Sequence, residues 1–210
     1  MSTTRPGLVA GVAGPSLFVV VLLLEGWLRP GYSPLAEYVS ALSLGPRGWI
    51  QVVSFVVTGA CLLWFAAALA REFPTGAASR AGPVLVGIIG ACLLLSGPFV
   101  MDPAGTPTGA MTTHGLVHGI LGAIVFLLMP VVPFVLLRRL GREPTLHGLW
   151  WPTLVLGVFI AVADVVFTVA TKVPTLAAAT APWAGLLQRL VLVPFMAWVL
   201  LLATGLLRRA

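Results

Sequence analysis

Charge is what this chain has least of. Asp, Glu, Lys and Arg make up 9% of its residues, with 12 basic side chains against 6 acidic ones. A soluble globular domain carries about a quarter, so an ordinary water-soluble fold is excluded. Cysteine is nearly missing as well: Cys61 and Cys92 both fall inside apolar runs. They could touch if their helices packed together, but they read as free thiols acting as small hydrophobes. No GxSxG, CxxC, Walker or GxGxxG pattern is present, and no Glu neighbours the first histidine in the HExxH manner. No stretch is polar enough to build a separate soluble domain.

Hydrocarbon takes the place of charge. Hydrophobic residues account for 59% of the chain and its mean hydropathy is +1.06. Uncharged runs of about 18 residues or more, enough to cross a bilayer, recur along the whole length. Six spans can be marked at 8–27, 49–70, 83–101, 113–137, 149–171 and 183–207. The expected fold is all-α: a polytopic integral membrane protein, a single six-transmembrane-helix bundle over residues 1–210. The first span is long for a signal peptide, contains Pro15 and lacks a clear cleavage site, so it reads as a retained helix.

The formal charge of +6 is no sign of nucleic acid, because the basic residues sit at the ends of apolar runs rather than in a phosphate-tracking patch. They are topology anchors. With the N-terminus inside, Arg5, Arg71, Arg80, Arg138, Arg139, Arg142, Arg208 and Arg209 lie on the cytoplasmic side. Arg29, Arg47, Lys172 and Arg189 fall opposite. Both termini are therefore expected in the cytoplasm of a multi-pass cell-membrane protein. His147 belongs to the inner side.

The longest connection joins spans one and two. Ser33 and Pro34 suit an N-cap and first helical position, and Leu35, Tyr38, Val39 and Leu42 follow helical spacing up to Gly45-Pro46. This predicts a short amphipathic interfacial helix, either a surface anchor or a lid over a cavity. Gly7-x-x-x-Gly11 and Gly115-x-x-x-Gly119 suit close helix packing.

The ionisable groups that enter the apolar layer do so from one side. His114 and His118 are one helical turn apart, about 6 Å along the axis, and share a face. Asp102 ends span three, Glu25 and Arg29 end span one, and Gln188 and Arg189 open span six. Asp164 is deepest, about 10 Å below the outer end of span five. An aspartate at a helix centre costs around 3 kcal/mol, so it needs a partner or a proton; His118 and Arg189 are the partners at comparable depth. An Asp164–Arg189 pair would bolt spans five and six together. Alternatively Asp164, His118 and His114 form a catalytic or ligand-binding group, joined by Asp102, Arg189, Glu25, Arg29, Tyr38 and Gln188. Glu25 and Arg29, four apart, also suit a local salt bridge. Zinc on His114, His118 and Asp102 is compatible with the spacing but not specified by it. A haem held by both histidines of one helix is excluded, since axial ligands must oppose each other.

Three separated strings occur together: RPGYSPLAEYVSALSLGPRGW, FVMDPAG and THGLVHG. With Tyr32, Ser33, Pro34, Tyr38, Val39 and Ser40, then Phe99, Asp102 and Pro103, then His114, Gly115 and His118, and GLLQR at 185–189, the chain resembles the domain of unknown function 998 family of actinobacterial multi-span membrane proteins. The resemblance covers nearly the whole chain. It implies a six-span fold and supplies no reaction. The DPAGTPTGAMTT loop is shorter than the family's usual Pro-rich version, and Thr113 stands where an aromatic often precedes the first histidine. Three functions are open at this point. One is binding or processing of a lipid-like or amphipathic molecule, with His118 and Asp164 as acid and base and Arg189 as anion clamp. Another is a non-catalytic scaffold among membrane lipids. The last is a proton-coupled transporter, against which stands a nearly apolar inner half.

Overall fold

The computed structural model describes residues 4–209, and among them every regular element is helical. Eight α-helices follow in order: α1 Arg5–Leu28, α2 Gly48–Glu72, α3 Ala81–Ser96, α4 Thr113–Leu128, α5 Val131–Arg142, α6 Trp150–Lys172, α7 Pro174–Thr180 and α8 Ala184–Leu207. Five helical stretches (Arg5–Leu28, Gly48–Glu72, Thr113–Arg142, Pro144–Lys172 and Pro174–Leu207) are long and apolar enough to cross a bilayer. The sixth apolar helix, α3, has 16 residues and rises about 24 Å against a hydrocarbon layer of about 30 Å. Gly97 and Pro98 end it before the expected boundary at Met101, because Pro98 has no N–H to continue the ladder.

The central packing is built on missing side chains. A Cβ on Gly7 would lie 2.7 Å from Ala68 Cβ, and one on Gly11 would lie 2.4 Å from the Phe65 ring, so this glycine pair does bring α1 onto α2. The crossing of α2 and α3 is tighter: a Cβ on Gly59 would stand 2.3 Å from the Leu94 backbone nitrogen. In turn α8 packs on α1 and α6, α5 on α6, and α4 chiefly on α3. Neither cysteine is bonded, and Cys61 faces Gly14 on α1.

Thr4 and Arg209 lie at one end, where charges missed as a group by the sequence reading form a fastening. The Glu72 carboxylate accepts from Thr4 Oγ1 at 2.8 Å and from Arg209 at 3.0 Å. Arg209 also pairs with Glu143 at 3.6 Å, and Glu143 accepts from Arg139 Nε at 2.9 Å. The Arg139 guanidinium covers the Phe73 ring, 4.6 Å from its centroid. The start of α1 and the ends of α2, α5 and α8 are thereby tied together.

Two expectations need correcting. The fourth span is not one helix: α4 stops at Leu128 and α5 starts at Val131. Pro130 deprives the Phe126 carbonyl of its partner, while Pro133 sits in the first turn of α5, where an N–H has no intrahelical use. Nor does the connection after α1 form an α-helix. Ser33 does cap one turn, with Glu37 N–H donating to Ser33 O at 2.8 Å and Ser33 N–H to the Glu37 carboxylate at 3.0 Å. The chain then becomes extended at Tyr38 (φ −62°, ψ 149°) and closes in a 3₁₀ turn, Val39–Ser43. Contacts with α8 outweigh helical propensity: Leu186 N–H donates to Leu35 O at 2.9 Å, and Val39 N–H to Gln188 Oε1 at 2.7 Å. Val39 and Leu42 are consequently buried in the bundle rather than laid on a surface.

Candidate functional site: a cavity at the histidine end

At the end opposite the termini, a cavity of about 820 Å³ lies between α4, α6, the turn after Tyr38 and the loop around Asp102. Its wall is mostly apolar, with Phe18, Phe55, Phe126 and Phe167 among its lining residues. The polar groups reaching it include His118, Asp102, Asp164, Gln188 and Tyr38 from the sequence-derived set, together with Lys172. His114, Glu25, Arg29 and Arg189 are not part of the lining.

The two histidines have different tasks although they share a helix face. His118 Nδ1 lies 2.8 Å from Phe99 O, and His114 Nδ1 lies 3.1 Å from Pro98 O. A carbonyl only accepts, so each Nδ1 carries the proton. Both rings thus satisfy the carbonyls that α3 and its continuation leave open. His114 is exposed and packs on Phe99, with ring centroids 5.4 Å apart. His118 is half-buried beside Phe55 and leaves its Nε2 lone pair free of any protein donor among the described residues.

Asp102 is held, not loose. Its carboxylate accepts from Thr112 N–H at 2.9 Å and from Thr112 Oγ1 at 2.7 Å. Thr112 Oγ1 in turn accepts from Gly115 N–H at 3.0 Å, which makes it the N-cap of α4. A Cβ on Gly115 would meet an Asp102 oxygen at 2.0 Å. Gly115 therefore makes room for a carboxylate rather than for a helix. A Cβ on Gly119 or Gly122 would have nothing within 4 Å, and both line the cavity. Of the second glycine pair, Gly115 is filled by Asp102 and Gly119 is bare, so the pair is not the helix-packing face its spacing predicts.

Asp164 does not pair with Arg189, which corrects the expected bolt between spans five and six. Arg189 donates to Glu37 O and Gly185 O, both at 2.9 Å, and to the Tyr32 hydroxyl. These carbonyls and the phenol ring, 5.7 Å from the guanidinium, occupy it above the cavity, so the anion-clamp role falls away. Burial pushes the Tyr32 phenol above its usual value, more than the Arg189 cation lowers it. Asp164 lines the cavity with no hydrogen-bond partner among the described residues, and its Oδ1 is buried. Glu25 is spoken for as well: it pairs with Arg29 at 3.3 Å and with Arg47, while Arg29 also donates to Leu44 O at 3.1 Å.

The zinc arrangement is not assembled. Among the described residues no group of three or more His, Cys, Asp and Glu is placed to hold a metal ion. The reason is visible in the bonding, since Asp102 is turned to Thr112 and His114 to Pro98.

Lys172 is the group that sequence reasoning passed over as a topology anchor. It lies eight positions after Asp164, so Asp164, Thr168 and Lys172 form one stripe on α6, and all three line the cavity. Counting in steps of four from Asp164 would have found it. The cavity is also open sideways. Leu127, Val165 and Val169 belong to its wall yet are 69%, 62% and 44% exposed, and the backbones of α4 and α6 stay apart, joined by Phe126 against Phe167 with ring centroids 5.0 Å apart. Leu127 is 14 residues below the start of α4, a depth of about 21 Å, so this opening faces hydrocarbon.

Apolar helices of spanning length packed into one bundle define a multi-pass helical membrane protein. The chain belongs to the family described as "Protein of unknown function (DUF998)", whose model matches residues 12–205. Neither a curated protein nor a solved structure matches it.

Proposed function

We propose that this protein binds a lipid-like or amphipathic molecule, drawn from the outer leaflet of the cell membrane, with both termini in the cytoplasm. The observation that carries this reading is the sideways opening beside Leu127, Val165 and Val169. A ligand reaching a cavity through hydrocarbon-facing residues has to be soluble in hydrocarbon. The lining fits such a ligand: an apolar body with a few convergent polar groups is the usual composition of a small-molecule site. A cavity of about 820 Å³ falls within the ~300–1,000 Å³ of such pockets.

Asp164 argues against a purely structural role for the polar groups. A fastener has a partner on another helix, and this carboxyl has none among the described residues. Transport is disfavoured by the far end, where buried leucines and the Glu72–Arg209–Glu143–Arg139 network close the bundle.

The test is lipid mass spectrometry on protein purified in mild detergent, comparing the parent with Gly122→Trp. The indole would fill the open wall. Enrichment of a bilayer component in the parent and its depletion in the variant, at unchanged thermal stability, supports the reading. Equal lipid content in both refutes it.

A further inference from the structure

We propose that the cavity selects a membrane amphiphile bearing an anionic head group next to a free hydroxyl; this inference rests on the ligand-binding reading above. It starts from the α6 stripe. Asp164, Thr168 and Lys172 are spaced by one turn each, so the lysine Cα stands about 12 Å above the aspartate Cα on the same face. Lys172, the chain's single lysine, is exposed at the helix end and forms no ion pair among the described residues. The neighbouring guanidiniums keep their charge but lie outside the lining, with donors committed to Glu25 for Arg29 and Arg47 and to carbonyls and a phenol for Arg189. Among the described residues the cation on the cavity wall is therefore Lys172, and it calls for an anion.

The groups deeper in the cavity call for the opposite. Asp164 presents acceptor oxygens, and His118 presents the acceptor Nε2, its Nδ1 proton being committed to Phe99 O. Two acceptors in an apolar wall are satisfied by a donor on the ligand. A hydroxyl meets this need. The bare backbone at Gly119 and Gly122 and the sideways opening give the remaining hydrocarbon chain its path toward the bilayer.

Three probes separate the parts of this claim: 1-palmitoyl lysophosphatidic acid, its 2-deoxy analogue lacking the hydroxyl, and monopalmitoylglycerol lacking the anion. Affinities are read by native mass spectrometry and by the thermal shift of the detergent-purified full-length chain. The first probe is expected to bind about 10-fold tighter than either of the others, the usual worth of one charge-assisted hydrogen bond. Lys172→Gln should erase the preference over monopalmitoylglycerol, and Asp164→Leu the preference over the deoxy analogue. Binding of all three probes with equal affinity overturns the proposed selectivity and leaves the ligand-binding reading standing. Binding of none overturns both. The wild-type probe series decides the matter even where a variant fails to fold.

Discussion

The paired substitutions Gly59→Ala and Gly122→Ala set the packing account against helix propensity alone. Propensity treats them alike, since Ala in a helix interior is better than Gly by about 1 kcal/mol. The surroundings do not. At Gly59 the new methyl would sit 2.3 Å from Leu94 N and 2.5 Å from Gly90 O, both backbone atoms of α3. Comfortable contacts are ~3.5–4.0 Å, and no rotamer can relieve a main-chain clash. The helices would have to separate by about 1 Å along their closest crossing, at an overpacking cost of ~1–3 kcal/mol. At Gly122 nothing lies within 4 Å, and the propensity gain is kept. The two variants should therefore differ by the overpacking cost alone, ~1–3 kcal/mol, with Gly59→Ala the weaker. At ~2–4 °C per kcal/mol for a chain of this size, thermal unfolding in detergent, followed by tryptophan fluorescence, should separate them by about 2–12 °C. A Gly59→Ala midpoint equal to or above that of Gly122→Ala would refute the α2–α3 packing described above.

Glu25→Gln should lower stability by about 3 kcal/mol, the scale of a broken buried ion pair, because it strands the Arg29 side chain, only 11% exposed; chemical denaturation measures this. Arg189→Lys loses the planar fork that reaches Glu37 O, Gly185 O and Tyr32 together, so amides of residues 32–43 should exchange about 10-fold faster while the α2–α3 core is unchanged. Thr112→Val removes the α4 N-cap and should cost about 1 kcal/mol, and it takes the Oγ1 bond from Asp102 while the backbone N–H bond stays. Tyr32 should make the same loop alkali-sensitive. Its folded phenol holds its proton above the ordinary value of 10.0, so the stability it contributes is complete below about pH 10 and falls as pH rises through the folded value. A loop-specific rise in exchange under those conditions checks it, and Tyr32→Phe should abolish the effect.

Membrane class and the approximate limits of the helices were legible because they depend on sums over many residues. Arg5–Leu28 and Trp150–Lys172 fall within a few positions of the runs at 8–27 and 149–171. The shared end of His118, Asp102, Asp164 and Gln188 was legible from depth counting along helices. What escaped depended on single tertiary bonds. Gln188 accepting from Val39 N–H cannot be read from local periodicity, and it helps decide against a helix after Ser33. Arg189 could be placed at the right height, but its choice of Glu37 O over Asp164 follows from how that same turn folds. Gly115 and Gly119 look identical in sequence; the Asp102 carboxylate fills the space beside one and leaves the other bare.

The gap at Met129–Pro130 leaves α4 attached chiefly by one flank, with single ring contacts from Phe126 to Phe167 and from His118 to Phe55 besides. Its packing falls chiefly on α3, only Gly115, Leu121 and Val125 are buried along its length, and the hydrogen-bond ladder to α5 is interrupted below it. Every other long helix is held from two sides or clamped by the arginine network. The least expensive deformation of this molecule is accordingly a pivot of α4 about its lower end, and the wall it would carry outward is the one that bears His118.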